Sequence, residues 1–157
     1  MGAMDIAEIA PDVPAGLESG LRNYWYPILL SEDLTQGRPV AIKCLGESLV
    51  VWRDAAGHPG VLFDRCPHRA AKLSAGRVLE GQLQCAFHGL RFDKTGRCTL
   101  IPWEPEESPS RKEVSVQPYP AKELAGYIWA YLGDATLFPP RPLEQDVPQE
   151  ILREQEY

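Results

Sequence analysis

Histidine is scarce in this chain: His58, His68 and His88 are all that 157 residues contain, beside four cysteines. Any chemistry that needs imidazole must draw on those three. Basic charge is also in short supply. With 16 Lys and Arg against 22 Asp and Glu the net charge is -6, which excludes a general nucleic-acid binder, whose surface would be basic. No apolar run approaches the roughly 20 residues of a bilayer span, and the basic-then-apolar opening of a secretory signal is missing. A cytoplasmic chain with no membrane partner is therefore expected. Met1-Gly2 opens like a myristoylation site, but Ile6 stands where Ser or Thr is required. Without an export signal the cysteines read as reduced thiols, some of them metal ligands, rather than as disulfides.

Turn-forming residues are plentiful instead. The 15 Pro and 13 Gly cut the chain into short segments, and the length suits one core, so the expected fold is all-β, built of small antiparallel sheets. In "VAIKCL" the alternation puts Val40, Ile42 and Cys44 on one face, and with "SLVVWR" it predicts a hairpin turning at Gly46–Glu47. Two more hairpins are read from "RVLEGQLQCAF", turning at Gly81, and "LRFDKTGRCTL", turning between Asp93 and Gly96. "VSVQPY" and "GYIWAYL" have the β-branched and aromatic content of strands. No stretch argues for a long helix before Glu144. Residues 1–20 read as a leader, with "MGAM" an expression remnant ahead of Met4. Residues 21–138 form the domain, and the acidic, proline-rich 139–157 reads as a linker leaving the core.

The chemistry gathers in two boxes. "CPHRA" sets Cys66 two residues before His68, "CAFHG" sets Cys85 three before His88, and sixteen residues separate His68 from Cys85. That is enough chain for one hairpin to bring both boxes to neighbouring loop tips. Two sulfur and two nitrogen donors then converge: Cys66, His68, Cys85 and His88. Such a set can hold a structural zinc, although common zinc fingers put both Cys in one pair and both His in the other. It can also divide between two irons, both thiolates on one and both imidazoles on the other. From Asp64 to Arg97 seven basic residues face three acidic ones, a net +4 in a chain of -6, so positive charge follows the boxes. Cys44 and Cys98 read as structural thiols, His58 as an exposed turn residue, and Tyr24, Trp25 and Tyr26 as edge packing.

With Arg69 after the first His and Gly89 after the second, "CPHRAAKLSAGRV" and "CAFHGLRFDKTGRC" resemble the two cluster-binding loops of Rieske [2Fe-2S] proteins, in the form found in Rieske non-haem iron oxygenases. The likeness covers about residues 21–140. It implies a Rieske fold with a two-loop cluster-binding subdomain, and a [2Fe-2S] cluster held by Cys66, His68, Cys85 and His88. The implied function is one-electron transfer, as the N-terminal domain of an O2-dependent oxygenase acting on an aromatic or similar small organic substrate. The implied donor is a reductase or ferredoxin. The implied acceptor is the catalytic domain of the same or a neighbouring subunit in a homotrimeric parent.

Such an oxygenase also needs a mononuclear Fe(II) held by two His and one carboxylate. Only His58 is left over, so that site is expected in a catalytic domain absent from this chain, which alone should not turn over substrate. A stand-alone Rieske ferredoxin is the alternative reading, and a zinc-bearing interaction module the third. Two thiolates and two neutral imidazoles leave an oxidised cluster with no net charge, which eases electron addition relative to four thiolates. Ala71 and Phe87 stand where high-potential Rieske proteins carry extra cysteines, and Leu90 and Phe92 where a Ser and a Tyr donate to sulfur. Their absence implies the lower part of a range of about -150 to +300 mV.

Overall fold

Alternate side chains of one strand enter different cores, and this divides the molecule into layers. The computed structural model describes residues 21–153. In chain order its strands are β1 (Tyr24–Leu30), β2 (Val40–Cys44), β3 (Glu47–Arg53), β4 (Pro59–Phe63), β5 (Arg77–Leu79), β6 (Gln82–Gln84), β7 (Arg91–Phe92), β8 (Cys98–Leu100), β9 (Pro118–Tyr119), β10 (Ala121–Leu124) and β11 (Tyr127–Leu132). The helices are short: α1 (Ser110–Glu113), α2 (Leu143–Asp146) and α3 (Gln149–Arg153). Among the described residues no helix is long and apolar enough to cross a membrane.

The strands pair into three antiparallel sheets, ordered β1-β11-β10, β2-β3-β4-β9 and β5-β6-β7-β8. β3 and β4 of the middle sheet are buried on both faces. Val50, Trp52 and Leu62 pack toward the β5–β8 sheet, in the core that holds Cys66 and Cys85. Leu49, Val51 and Val61 point the other way, onto Ile128, Ala130 and Leu132 of β11. From the outer face of β11, Trp129 and Tyr131 meet Trp25, Leu143 and Val147. Three cores are thus separated by two sheets, as the two-residue period of β-strands dictates.

Three hairpins turn on the same two-residue device. Leu45–Gly46, Glu80–Gly81 and Ala125–Gly126 all have positive φ, 49° and 78°, 53° and 76°, and 54° and 74°. That is the signature of a type I′ turn, whose twist suits the flanking strands. The first turn falls one residue earlier than Gly46–Glu47, because Cys44 pairs with Glu47 and the glycine takes the second central position. "VSVQPY" forms less strand than its composition promises: only Pro118–Tyr119 belongs to a sheet, with a single bridge between Arg97 and Ser115.

The start of the acidic tail does not leave the core. Leu143 and Val147, one helical turn apart, are 0% and 3% exposed against the outer face of β11. Trp25 Nε1 donates to the Arg141 carbonyl at 2.8 Å and the Tyr131 hydroxyl to that of Phe138 at 2.6 Å. Burying two such side chains contributes about 1.5–3 kcal/mol each, opposed by the entropy of ordering the segment. Residues 1–20, read as a leader, lie outside the described residues, as do 154–157.

Candidate metal centre

Both boxes are built on one backbone frame. The Cys66 N–H donates to the Ala71 carbonyl and the Ala70 N–H to the Cys66 carbonyl, each at 2.8 Å. In the second box the Cys85 N–H donates to the Leu90 carbonyl at 2.9 Å and the Gly89 N–H to the Cys85 carbonyl at 3.1 Å. Two backbone bonds therefore fix each cysteine at the base of its loop, leaving the histidine on the rim. Because the frame repeats, the spacings Cys-x-His and Cys-x-x-His place the two imidazoles at different points of equivalent loops.

Neighbouring residues hold the frames in place. Asp64, 6% exposed, accepts from the Ser74 N–H at 2.7 Å and the Ser74 hydroxyl at 2.6 Å, tying the start of the first loop to the turn that ends it. Its own N–H donates to the Ser48 carbonyl at 2.8 Å, fastening the loop to β3. The β5–β6 hairpin between the boxes docks through Trp52, whose Nε1 donates to the Gly81 carbonyl at 3.0 Å. A Cβ at Gly81 would lie 2.1 Å from the Ala55 nitrogen, so only glycine permits this approach. The Gln84 amide donates to the Gly89 carbonyl at 3.3 Å and supports the second loop.

The donors separate by element. Cys66 and Cys85 are each 2% exposed, neither in a disulfide, and the Cys85 thiol is near enough to Cys66 to help raise its pKa. His68 is exposed and His88 partly so, ring centroids 4.6 Å apart and nearly edge to face. Burial, reinforced by the neighbouring Cys85, pushes the Cys66 thiol up to about 11, against the pull of the nearby His68 and Arg69 backbone N–H groups. Loading a metal must therefore displace a proton there, after which the same N–H groups stabilise the thiolate. Desolvation, then the charges of His68 and Arg69, hold the His88 imidazole below its ordinary range, favouring the neutral form that ligates metal. Among the described residues no three His, Cys, Asp or Glu side chains gather as around one ion. The donors come as a sulfur pair and a nitrogen pair, the division a mixed-ligand two-iron cluster requires, and the set fits that group.

The other expected positions are equally definite. Leu90 and Phe92 are buried, 2% and 0% exposed, and offer no hydroxyl to a nearby sulfur. Cys98 is buried and donates its thiol to the Leu100 carbonyl at 3.4 Å, and Cys44 is half-buried in the sandwich core. His58 is not brought to the site: its side chain is 69% exposed and lies 3.7 Å from Asp54. Trp25 packs on Tyr131 at 5.7 Å, on the edge strand β1. Arg65, Arg69, Lys72 and Arg77 are exposed beside the site, whereas Glu80 holds Arg91 and Asp54 holds Lys94. Sequence reasoning missed Trp103, whose ring centroid is 5.3 Å from that of His68. It arrives from the "IPWEPEE" loop, where nothing in the sequence signals the contact.

Residues 24–120 match the Rieske [2Fe-2S] domain family. The chain belongs to that family. This Rieske domain is 40% identical over 139 residues to the 3-chlorobenzoate-3,4-dioxygenase oxygenase subunit of Comamonas testosteroni, covering 88% of this chain and 32% of that protein. Among solved structures, apo dicamba monooxygenase aligns with a TM-score of 0.71 at 35% identity, over 81% of this chain and 38% of its own. The oxygenase and ferredoxin complex of carbazole 1,9a-dioxygenase aligns at 0.73 and 32% identity, over 86% of this chain and 35% of the other. The Rieske domain spans about a third of the length of the curated relatives it matches. Its all-β architecture of small antiparallel sheets is the fold these structures share.

Proposed function

We propose that this Rieske domain passes single electrons within an O2-dependent oxygenase, through a [2Fe-2S] cluster held by the sulfurs of Cys66 and Cys85 and the ring nitrogens of His68 and His88. The observation that carries this reading is the pairing of two buried thiols with two imidazoles that are at least partly exposed, on equivalent loops. A bound cluster supplies reversible one-electron storage. The residues of the chain do the rest: the thiol pair sits in a core that excludes water, and the imidazoles reach the surface where an electron can enter or leave. A domain of 21–138, extended by the docked start of the tail through Val147, suits this role, with the rest of 139–157 as the connection toward a catalytic domain. That domain would supply the mononuclear Fe(II), because the one further histidine, His58, cannot provide two imidazoles. The substrate class that fits is an aromatic or similar small organic molecule, in a cytoplasmic homotrimer.

Arg65 and Arg69, which line one recess with His68, and the exposed Lys72 suit an acidic electron donor, a reductase or ferredoxin, steered by charge. Raising ionic strength should slow reduction by such a donor, and a rate indifferent to salt would remove this part of the reading. The deciding experiment is electron paramagnetic resonance after dithionite reduction, with iron and sulfide analysis. A mixed-ligand two-iron signal is expected. A colourless protein carrying zinc would overturn the reading in favour of a structural module.

A further inference from the structure

We propose that Trp103 is a positioning residue for the redox centre: it covers the imidazole pair from a separately anchored loop, limits the water that reaches His68 and His88, and so holds the midpoint potential down. This rests on the ligand reading given above. Trp103 belongs to neither cluster loop, lying between β8 and α1. It is 55% exposed and joins none of the three cores. Its aromatic contacts are with the candidate ligands. The indole centroid is 5.3 Å from that of His68 with the planes inclined at 42°, and 6.2 Å from that of His88, nearly edge-on at 83°. Phe87, 61% exposed, has its ring centroid 4.1 Å from that of His88. Each imidazole thus has an aromatic neighbour of its own.

The placement is held by the loop rather than by packing. The Glu104 N–H donates to the Ile101 carbonyl at 3.1 Å and the Ser108 N–H to that of Pro105 at 3.0 Å. The Ser108 hydroxyl donates to the Glu104 carboxylate, and the Arg111 guanidinium donates to the carbonyls of Thr99 and Glu106. A large apolar ring kept half in water by this many bonds gains little from burial, so its use lies in what it covers. Reduction adds one negative charge to a centre that is otherwise neutral. Water at the imidazole edges would solvate that charge, whereas the apolar face of an indole there excludes water. The ring therefore disfavours the reduced state.

The test compares the cluster-loaded protein with Trp103→Ser, Trp103→Phe and Phe138→Ala, the last a 55% exposed aromatic after β11. Iron content, the spin-resonance spectrum and the midpoint potential by film voltammetry are measured for each. Trp103→Ser is expected to keep its iron and raise the reduced-to-oxidised ratio at fixed potential by up to about tenfold, about 59 mV for a one-electron couple. Trp103→Phe should move less in the same direction, and Phe138→Ala not at all. An unmoved or lowered midpoint in Trp103→Ser with full iron overturns the proposal. Should Trp103→Ser lose its iron, Trp103→Phe decides by the same criterion. If the unsubstituted protein lacks the mixed-ligand signal, it is the ligand reading that fails, before any substitution is made.

Discussion

Ala70 and Gly89 hold the same position in the two Cys/His loops. Each lies four residues after its cysteine, donates its N–H to that cysteine's carbonyl, and has positive φ, 57° and 78°. One of the two positions is filled by a residue that bears a Cβ. Left-handed backbone costs a non-glycine residue about 1–2 kcal/mol. Gly89→Ala should therefore destabilise the protein by about that much, aggravated because the new Cβ would sit 3.2 Å from Pro102 Cγ. Ala70→Gly should change stability by less than about 1 kcal/mol, since relief of strain is offset by a more flexible unfolded chain. Thermal unfolding with cluster content as a second readout checks both, and equal losses in the two variants would contradict the equivalence.

The ligand assignment makes a sharper demand. Replacing His68 or His88 by Ala should abolish the cluster or its mixed-ligand spectrum, while His58→Ala, altering a side chain 69% exposed, should leave the absorption spectrum unchanged. A bleached His58→Ala protein would show that the third histidine had been misplaced.

Leu90 and Phe92 fill their positions with apolar side chains, 2% and 0% exposed. With no hydroxyl there to stabilise the reduced state, the midpoint should fall below about +100 mV. Film voltammetry measures it directly, and a higher value would mean that another donor reaches the sulfurs.

On the acid side, stability should respond to Arg53 and Glu123. The guanidinium donates to both carboxylate oxygens, at 2.6 and 3.0 Å, and also to the carbonyls of Ser31, Leu34 and Gly57. The Arg53 hydrogen bond holds the Glu123 carboxyl below its ordinary 4.5. A carboxylate depressed on folding adds stability that is present above its unfolded value and is lost as pH falls through the folded one. The effect is modest because Glu123 is 38% exposed and partly screened. Melting temperatures followed downward from about pH 5 should fall more steeply for the parent than for Glu123→Gln. Parallel curves would deny the pair any role.

The tail offers a test of packing. Leu143→Ala should cost about 2–5 kcal/mol, the range for truncating a buried leucine, seen as a lower denaturant midpoint. No effect would mean that α2 is detached in solution.

How much of this could be read from the chain depended on whether the signal was local. Two-residue alternation and glycine at the turns revealed the hairpins, and the mixed Cys/His order singled out the four side chains proposed as ligands, because both are written over a few neighbouring residues. The turn at Leu45–Gly46 was misplaced by one position, since hydrophobic alternation fixes a strand's face more firmly than its end. Leu143 and Val147 were hidden among acids and prolines, where two apolar residues one turn apart leave little trace in composition. Trp103 could not be found at all. Its meeting with His68 spans thirty-five positions of sequence and depends on how the loop after β8 folds back.

Stacked cores let the molecule fail in parts. Oxidative loss of iron would loosen the layer that holds Cys66 and Cys85, yet Leu49, Val51 and Ile128 meet on the far side of β3 and β4 and need no metal to stay together. A bleached protein should remain a folded scaffold, its far core intact.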